Sequence, residues 1–204
     1  MTTVLLIHGG LWEDMNAERF WHHPGIVAGL QHHGVHVLSP DRVRRPQSWT
    51  AEAQHLTTLL PEHPVTIVAG SNGCSAAIRL ALIEPERVER LLLAWPATAG
   101  DPQVDTRTRL GLAGLGAQPD TLDALLDGHT LRGTTDDELA SITKPVGVLP
   151  STPENPSHQR RTVDALLRIL PTAVKLPGCP EPPHPAFPPH ADSFVRTVVN
   201  FALT

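Results

Sequence analysis

Ser71 sits in the run Val65-Thr-Ile-Val-Ala-Gly-Ser-Asn-Gly-Cys74. A β-branched apolar stretch runs into small residues and then into Ser75-Ala-Ala-Ile-Arg-Leu-Ala-Leu82, a helix-forming run. A strand that turns sharply into a helix with serine at the apex holds a hydroxyl on a rigid, exposed point. That is the arrangement of a strained nucleophile elbow, and its chemistry is attack on a carbonyl. The small residues are needed because strand and helix pack closely around the turn. Ala69 stands where the first glycine of G-x-S-x-G falls, and Gly73 keeps the second. A second signal is His8-Gly9-Gly10-Leu11-Trp12, just past an apolar run at the start of the chain. A glycine pair there lets backbone N–H groups face a developing oxyanion. Gly10 and Asn72, the residue after the serine, are the expected donors.

These residues need a scaffold. Six apolar runs read as strands: 4–8, 36–38, 65–69, 90–95, 146–150 and 173–176. Most are continuously apolar, as in strands covered on both faces of a parallel sheet. Helical patterns at 17–32, 49–60, 74–83, 158–170 and 192–203 fall between and after them. The alternation predicts an α/β fold, a mostly parallel sheet of about six strands flanked by helices. It breaks at 97–144, where Gly, Thr and Asp are common and helical pieces at 106–115, 121–126 and 136–142 are weak. A segment placed there would lie above the C-terminal ends of the strands, over the ligand crevice of an open α/β sheet. It is read as a small cap inserted in a single domain spanning 1–204.

Composition limits the partners. The chain has 204 residues and a formal net charge of −5. Without long runs of like charge, this argues against a nucleic-acid or acidic-membrane partner. No apolar stretch approaches the ~18–20 residues of a membrane span. Residues 1–7 lack a basic leader pattern, so a signal peptide is not expected. Two cysteines, Cys74 and Cys179, make no disulfide framework, and a cytoplasmic location is expected. The proline-rich run 177–189 is read as a stiff ordered loop, because a convincing final helix follows it.

The elbow, the His-Gly-Gly turn, the run Arg79-Leu-Ala-Leu-Ile-Glu-Pro-Glu-Arg-Val-Glu-Arg-Leu-Leu-Leu93 and a late histidine loop together resemble the α/β-hydrolase superfamily over nearly the whole length. The resemblance implies a minimal core lacking the first two strands, with sheet order 2-1-3-4-5-6. It also implies a triad in the chain order nucleophile, acid, histidine. On that order the histidine follows the last strand: His184, with His190 as the alternative. The acid follows the fifth strand: Glu154, where Asp is usual, with Asp101 as the alternative. The implied activity is cleavage of an ester or related acyl bond of a small molecule through an acyl-enzyme, with no cofactor. Two other readings are a cofactor-free lyase or C–C hydrolase on the same scaffold, and a binding module without turnover.

Other residues invite chemistry but have plainer readings. Twelve histidines occur, without H-E-x-x-H or C-x-x-C spacing. His22, His23, His32, His33, His36 and His158 are therefore read as surface or packing residues, and no metal is expected. His8 is read as holding its turn, and Cys74 as packing beneath the elbow. Leu11, Trp12 and Trp95 follow strand ends and are expected to line a substrate pocket. Glu13 and Asp14 follow the glycine turn and are placed to touch a polar substrate.

Overall fold

A computed structural model describes residues 2–204. Six strands form one parallel sheet: β1 (Thr3–Ile7), β2 (His36–Leu38), β3 (Val65–Gly70), β4 (Val88–Ala94), β5 (Val146–Leu149) and β6 (Ala173–Lys175). Their order is β2-β1-β3-β4-β5-β6. The four inner strands are almost wholly buried, and the edge strands β2 and β6 are partly exposed. Alternate side chains feed two cores, as the period of two requires. Leu5, Ile7, Ile67, Leu91 and Leu93 face one layer, whereas Val4, Leu6, Val68 and Leu92 face the other. Helices α2 (Trp49–Thr57), α3 (Gly73–Ile83) and α7 (Arg160–Ile169) cover the first. Helices α1 (Ile26–His32) and α8 (Ala191–Leu203) cover the second.

The chain changes direction of winding between β1 and β3, with β2 on the far side of β1. In an open parallel sheet such a point leaves a crevice at the strands' C-terminal ends. Ser71 follows β3 there, and the His8-Gly9-Gly10 turn follows β1. The expected helix at 17–32 is broken in two. Pro24 and Gly25, the latter at φ 80°, separate α1 from a five-residue π-helical turn at Glu18–His22. Proline removes a helical N–H, and glycine accepts the left-handed backbone.

Between β4 and β5 lie α4 (Pro102–Gly114), α5 (Pro119–Leu126) and α6 (Asp136–Ala140). Local capping explains helices where apolar periodicity is weak. The Asp101 carboxylate accepts the Gln103 and Val104 N–H groups at 2.9 and 3.0 Å, with Pro102 at the first helical position. Thr135 and Glu138 form a reciprocal capping box on α6. This segment is tied to the sheet layer. Arg79 of α3 donates to Glu138 Oε1 at 2.7 Å and to the Gly133 carbonyl at 3.0 Å. Trp49 Nε1 donates to the Leu125 carbonyl at 2.9 Å. Among the described residues no helix is long and apolar enough to cross a membrane.

Candidate active site

Ser71 stands at φ 53°, a left-handed backbone for a residue with a Cβ. Such a conformation costs about 1–2 kcal/mol. The surroundings impose it: Ser71 N–H donates to the Ala94 carbonyl at 3.0 Å, and α3 begins two residues later. Gly73 cannot be replaced without movement, since a Cβ there would lie 2.6 Å from the His8 carbonyl oxygen. Gly70 is equally constrained, with Phe20 ring atoms 2.6–2.7 Å from where its Cβ would be. Ala69 is fully buried and fits with its methyl group. The close approach thus demands glycine at 70 and 73, not at 69.

Ser71 Oγ lies 2.8 Å from His158 Nε2. His158 Nδ1 lies 2.7 Å from Glu181 Oε2. Neither of those two buried atoms has any other polar partner. At that distance the two are in ion-pair contact, although their alignment is not that of a hydrogen bond. With Nδ1 facing a carboxylate, the proton belongs on Nδ1, and Nε2 is left to accept from the serine hydroxyl.

The imidazole beside Ser71 thus comes from the loop after β5 and the carboxylate beside it from the loop after β6, the reverse of the order taken from the family resemblance. The two loops run side by side, because the sheet pairing continues past both strands as a bridge between Ser151 and Cys179. Either loop can then supply either partner. His158 is held by its neighbours: its N–H donates to the Asn155 carbonyl at 3.0 Å. Thr98 clamps the flanking residues. Its N–H donates to the Ser157 carbonyl at 2.8 Å, and its hydroxyl oxygen accepts the Gln159 N–H at 2.9 Å.

The residues chosen from sequence for these two roles lie elsewhere. His184 is exposed, and its Nδ1 accepts the Ala186 N–H at 3.1 Å within its own turn. Glu154 is exposed and accepts the Arg160 N–H at 2.7 Å, at the start of α7. Both border a small hollow that Glu181 also lines and that shares no lining residue with the crevice before Ser71. Asp101 caps α4 and pairs with Arg161 at 2.8 Å. The bond from the Val104 amide is the main reason its carboxyl lies below the usual range. His190 precedes α8. His158, read from sequence as a surface or packing residue, is buried against the serine. Its signal was a histidine two residues before a helix, in a loop that should end over the sheet.

The His8–Leu11 turn lies against the elbow: a Cβ on Gly9 would be 3.0 Å from Ser71 Cβ. Arg42 grips it from below. One guanidinium nitrogen reaches the carbonyls of His8, Gly9 and Gly10 at 3.0, 3.2 and 2.7 Å. The rest of the group pairs with the fully buried Glu52, Nη2 donating to Oε2 at 2.9 Å. His8 accepts the Arg42 N–H on Nε2 at 3.0 Å and directs Nδ1 at the Gly9 carbonyl at 2.7 Å, which makes it neutral. Burial, reinforced by the Arg42 charge, holds its pKa below the ordinary value. The Leu11 N–H is occupied by Glu13 Oε2 at 2.6 Å. The Gly10 and Asn72 amides have no acceptor among the described residues.

A crevice of about 310 Å³ opens in front of Ser71 and Asn72, walled by Leu11, Val104, Leu112 and Leu115 and by the charged Glu13, Arg107 and Arg132. Leu11 lines it as expected. Trp12 does not: its ring faces a neighbouring hollow, with Nε1 bonded to the Pro46 carbonyl at 3.0 Å. Nor does Trp95, which is fully buried, stacks on Phe194 with ring centroids 5.0 Å apart and donates to the Cys179 carbonyl at 2.8 Å. Both indoles have their one N–H satisfied in the scaffold, which fixes them there. Burial pushes the Cys74 thiol far above its ordinary pKa and raises Cys179 to about 11, so neither is a nucleophile at neutral pH.

No protein-family model matches this chain, and no curated protein matches it in sequence. Solved structures do match its shape. A meta-cleavage product hydrolase from Pseudomonas fluorescens IP01 superposes with a TM-score of 0.73 at 18% identity, covering 98% of this chain and 90% of that one. MGS-MChE2, an α/β hydrolase from a sediment metagenome of the Mar Chica lagoon, Morocco, gives 0.69 at 18%, covering 98% and 89%. An extracellular α/β-hydrolase from a Paenibacillus species gives 0.69 at 12%, covering 98% and 99%.

Proposed function

We propose that this chain, whose architecture is the α/β-hydrolase fold, is a serine hydrolase. It cleaves an ester or related acyl bond of a small molecule, with Ser71 as nucleophile, His158 as base and Glu181 as the acid that orients it. The observation that carries this reading is the pair of contacts through one imidazole, 2.8 Å to Ser71 and 2.7 Å to Glu181. The serine contact is within reach for proton transfer, and the carboxylate contact is at ion-pair distance.

The geometry supports the following sequence of events. His158 Nε2 accepts the Ser71 proton as Oγ bonds to the substrate carbonyl carbon. Glu181 stabilises the imidazolium without taking its proton. The carbonyl oxygen, now an anion, is received by the Gly10 and Asn72 amides. The Asn72 amide also stands at the N-terminus of α3, where the helix dipole favours negative charge. Each such donor contributes about 3–4 kcal/mol in comparable sites. The imidazolium protonates the leaving group, the C–O bond breaks, and the acyl group stays on Ser71. Water, deprotonated by His158, then attacks the acyl carbon; the bond to Ser71 Oγ breaks, the imidazolium returns its proton to Oγ, and the carboxylic acid leaves.

Incubation with a fluorophosphonate tests this reading. Mass spectrometry is expected to find the adduct on Ser71, with hydrolysis of short aryl esters lost in step with labelling. An unlabelled but folded protein, or ester turnover that survives in Ser71→Ala, would overturn it.

A further inference from the structure

The crevice in front of Ser71 carries three charged side chains, and they are not balanced in space. Arg132 lies deep in the wall, almost wholly buried. It bonds Asp105 Oδ1 at 3.1 Å, Asn72 Oδ1 at 3.1 Å and Thr108 Oγ1 at 3.3 Å. Burial pulls its pKa down, and Asp105 together with the charge of Glu13 opposes that pull. Arg132 thus has two carboxylates around it. Arg107 has none: its single polar contact is the Ser157 hydroxyl at a long 3.4 Å. Most other arginines near this end of the molecule are paired, Arg109 with Asp123, Arg161 with Asp101 and Arg160 with Asp164. Arg107 is exposed, faces the crevice from α4, and stands beside the residue that precedes His158.

We infer that Arg107 is the anion-binding residue of this crevice, and that the substrate is a small acyl compound bearing a carboxylate. This rests on the hydrolase reading for the acyl bond and goes beyond it in naming the substrate's charge. A planar guanidinium meets a carboxylate through two parallel N–H donors, and a half-enclosed site strengthens that pairing over one in open water. The Glu13–Arg132–Asp105 set carries one excess negative charge on the Asn72 side. It repels an anionic tail there and leaves Arg107 as its one favourable seat. The crevice volume of about 310 Å³ suits a small molecule and is at the lower end of ligand sites. The reacting carbonyl would lie at Ser71 and the carboxylate at Arg107, on the His158 side.

Two esters with the same leaving group test this: the mono-4-nitrophenyl ester of adipic acid, and its neutral counterpart in which the free carboxyl is methylated. The wild-type protein is expected to favour the anionic ester in kcat/KM by roughly tenfold or more, the usual scale of a charge-assisted hydrogen-bonded pair. The ratio should fall to near one in Arg107→Met and persist in Arg109→Met, a change on the same helix outside the crevice. Calorimetry of adipate with Ser71→Ala supplies an arm that needs no turnover. Binding should appear there and weaken by a similar factor in Ser71→Ala/Arg107→Met. A wild-type ratio near one, an equal ratio in Arg107→Met, or adipate binding indifferent to Arg107 would each overturn the inference while fluorophosphonate labelling of Ser71 persisted. Absent labelling with adipate bound through Arg107 would overturn the hydrolase reading and leave the anion subsite standing.

Discussion

Two side chains, Ser71 and Glu181, meet at the His158 imidazole, and the role proposed for each is measurable. Glu181→Gln keeps the shape of the acid and removes its charge. It should lower kcat by roughly 10²–10⁴-fold, because the imidazolium loses its stabiliser and the tautomer is no longer fixed. Glu154→Gln should leave kcat within about twofold, since that carboxylate caps α7 in solvent. Thr98→Val tests positioning. It removes the acceptor for the Gln159 N–H while nearly preserving volume. A fall in kcat of roughly tenfold is expected, with little change in KM, because a misplaced base weakens chemistry more than binding. At this scale the elbow serine was legible and the groups that contact it were not. Ser71 is announced by local sequence: a β-branched run, small residues and a helix former in unbroken succession. His158 and Glu181 are brought to it by tertiary structure alone. The family order of acid before histidine pointed to Glu154 and His184, each a few residues from a group that does join the Ser71–His158–Glu181 contacts.

At the scale of elements, the sheet was readable because buried parallel strands are continuous apolar runs. All six lie where those runs fall, within a residue or two at most ends. The helices between β4 and β5 were harder to read. They rest on caps such as Asp101-Pro102 and Thr135-x-x-Glu138, not on a strong apolar stripe. The turn after β1 depends on the Arg42–Glu52 pair, which no local pattern could reveal: the two residues matter through the carbonyls they hold. Removing one member of a buried, hydrogen-bonded pair strands the other charge. Glu52→Gln should therefore lower stability to urea by roughly 3–5 kcal/mol. It should also slow fluorophosphonate labelling, as the His8–Leu11 turn relaxes. Unchanged stability would mean that the guanidinium is solvated by some other route.

Over the whole molecule, pH couples the site to the fold through His8. Its folded pKa lies below the unfolded value of 6.5, chiefly through burial. Below pH 6.5 the unfolded chain takes up a proton that the folded chain refuses. Stability from this group is thus complete above 6.5 and is lost as pH falls toward the depressed folded value. Glu138 adds a second, more acidic window. Its folded pKa is lowered, first by the Arg79 hydrogen bond, so its contribution is present above 4.5 and fades as pH drops through the folded value. Urea midpoints are expected to decline from pH 7.5 to 5.5, and His8→Asn should flatten that decline. An equally steep decline in the variant would move the titration to another group.

The proposed exchange of roles between the β5 and β6 loops is tested most directly by comparing His158→Ala with His184→Ala in steady-state ester hydrolysis. The contacts at Ser71 predict a loss of roughly 10⁴-fold or more in kcat for His158→Ala, with His184→Ala close to wild type. The opposite ranking, with His184 indispensable and His158 dispensable, would contradict the account.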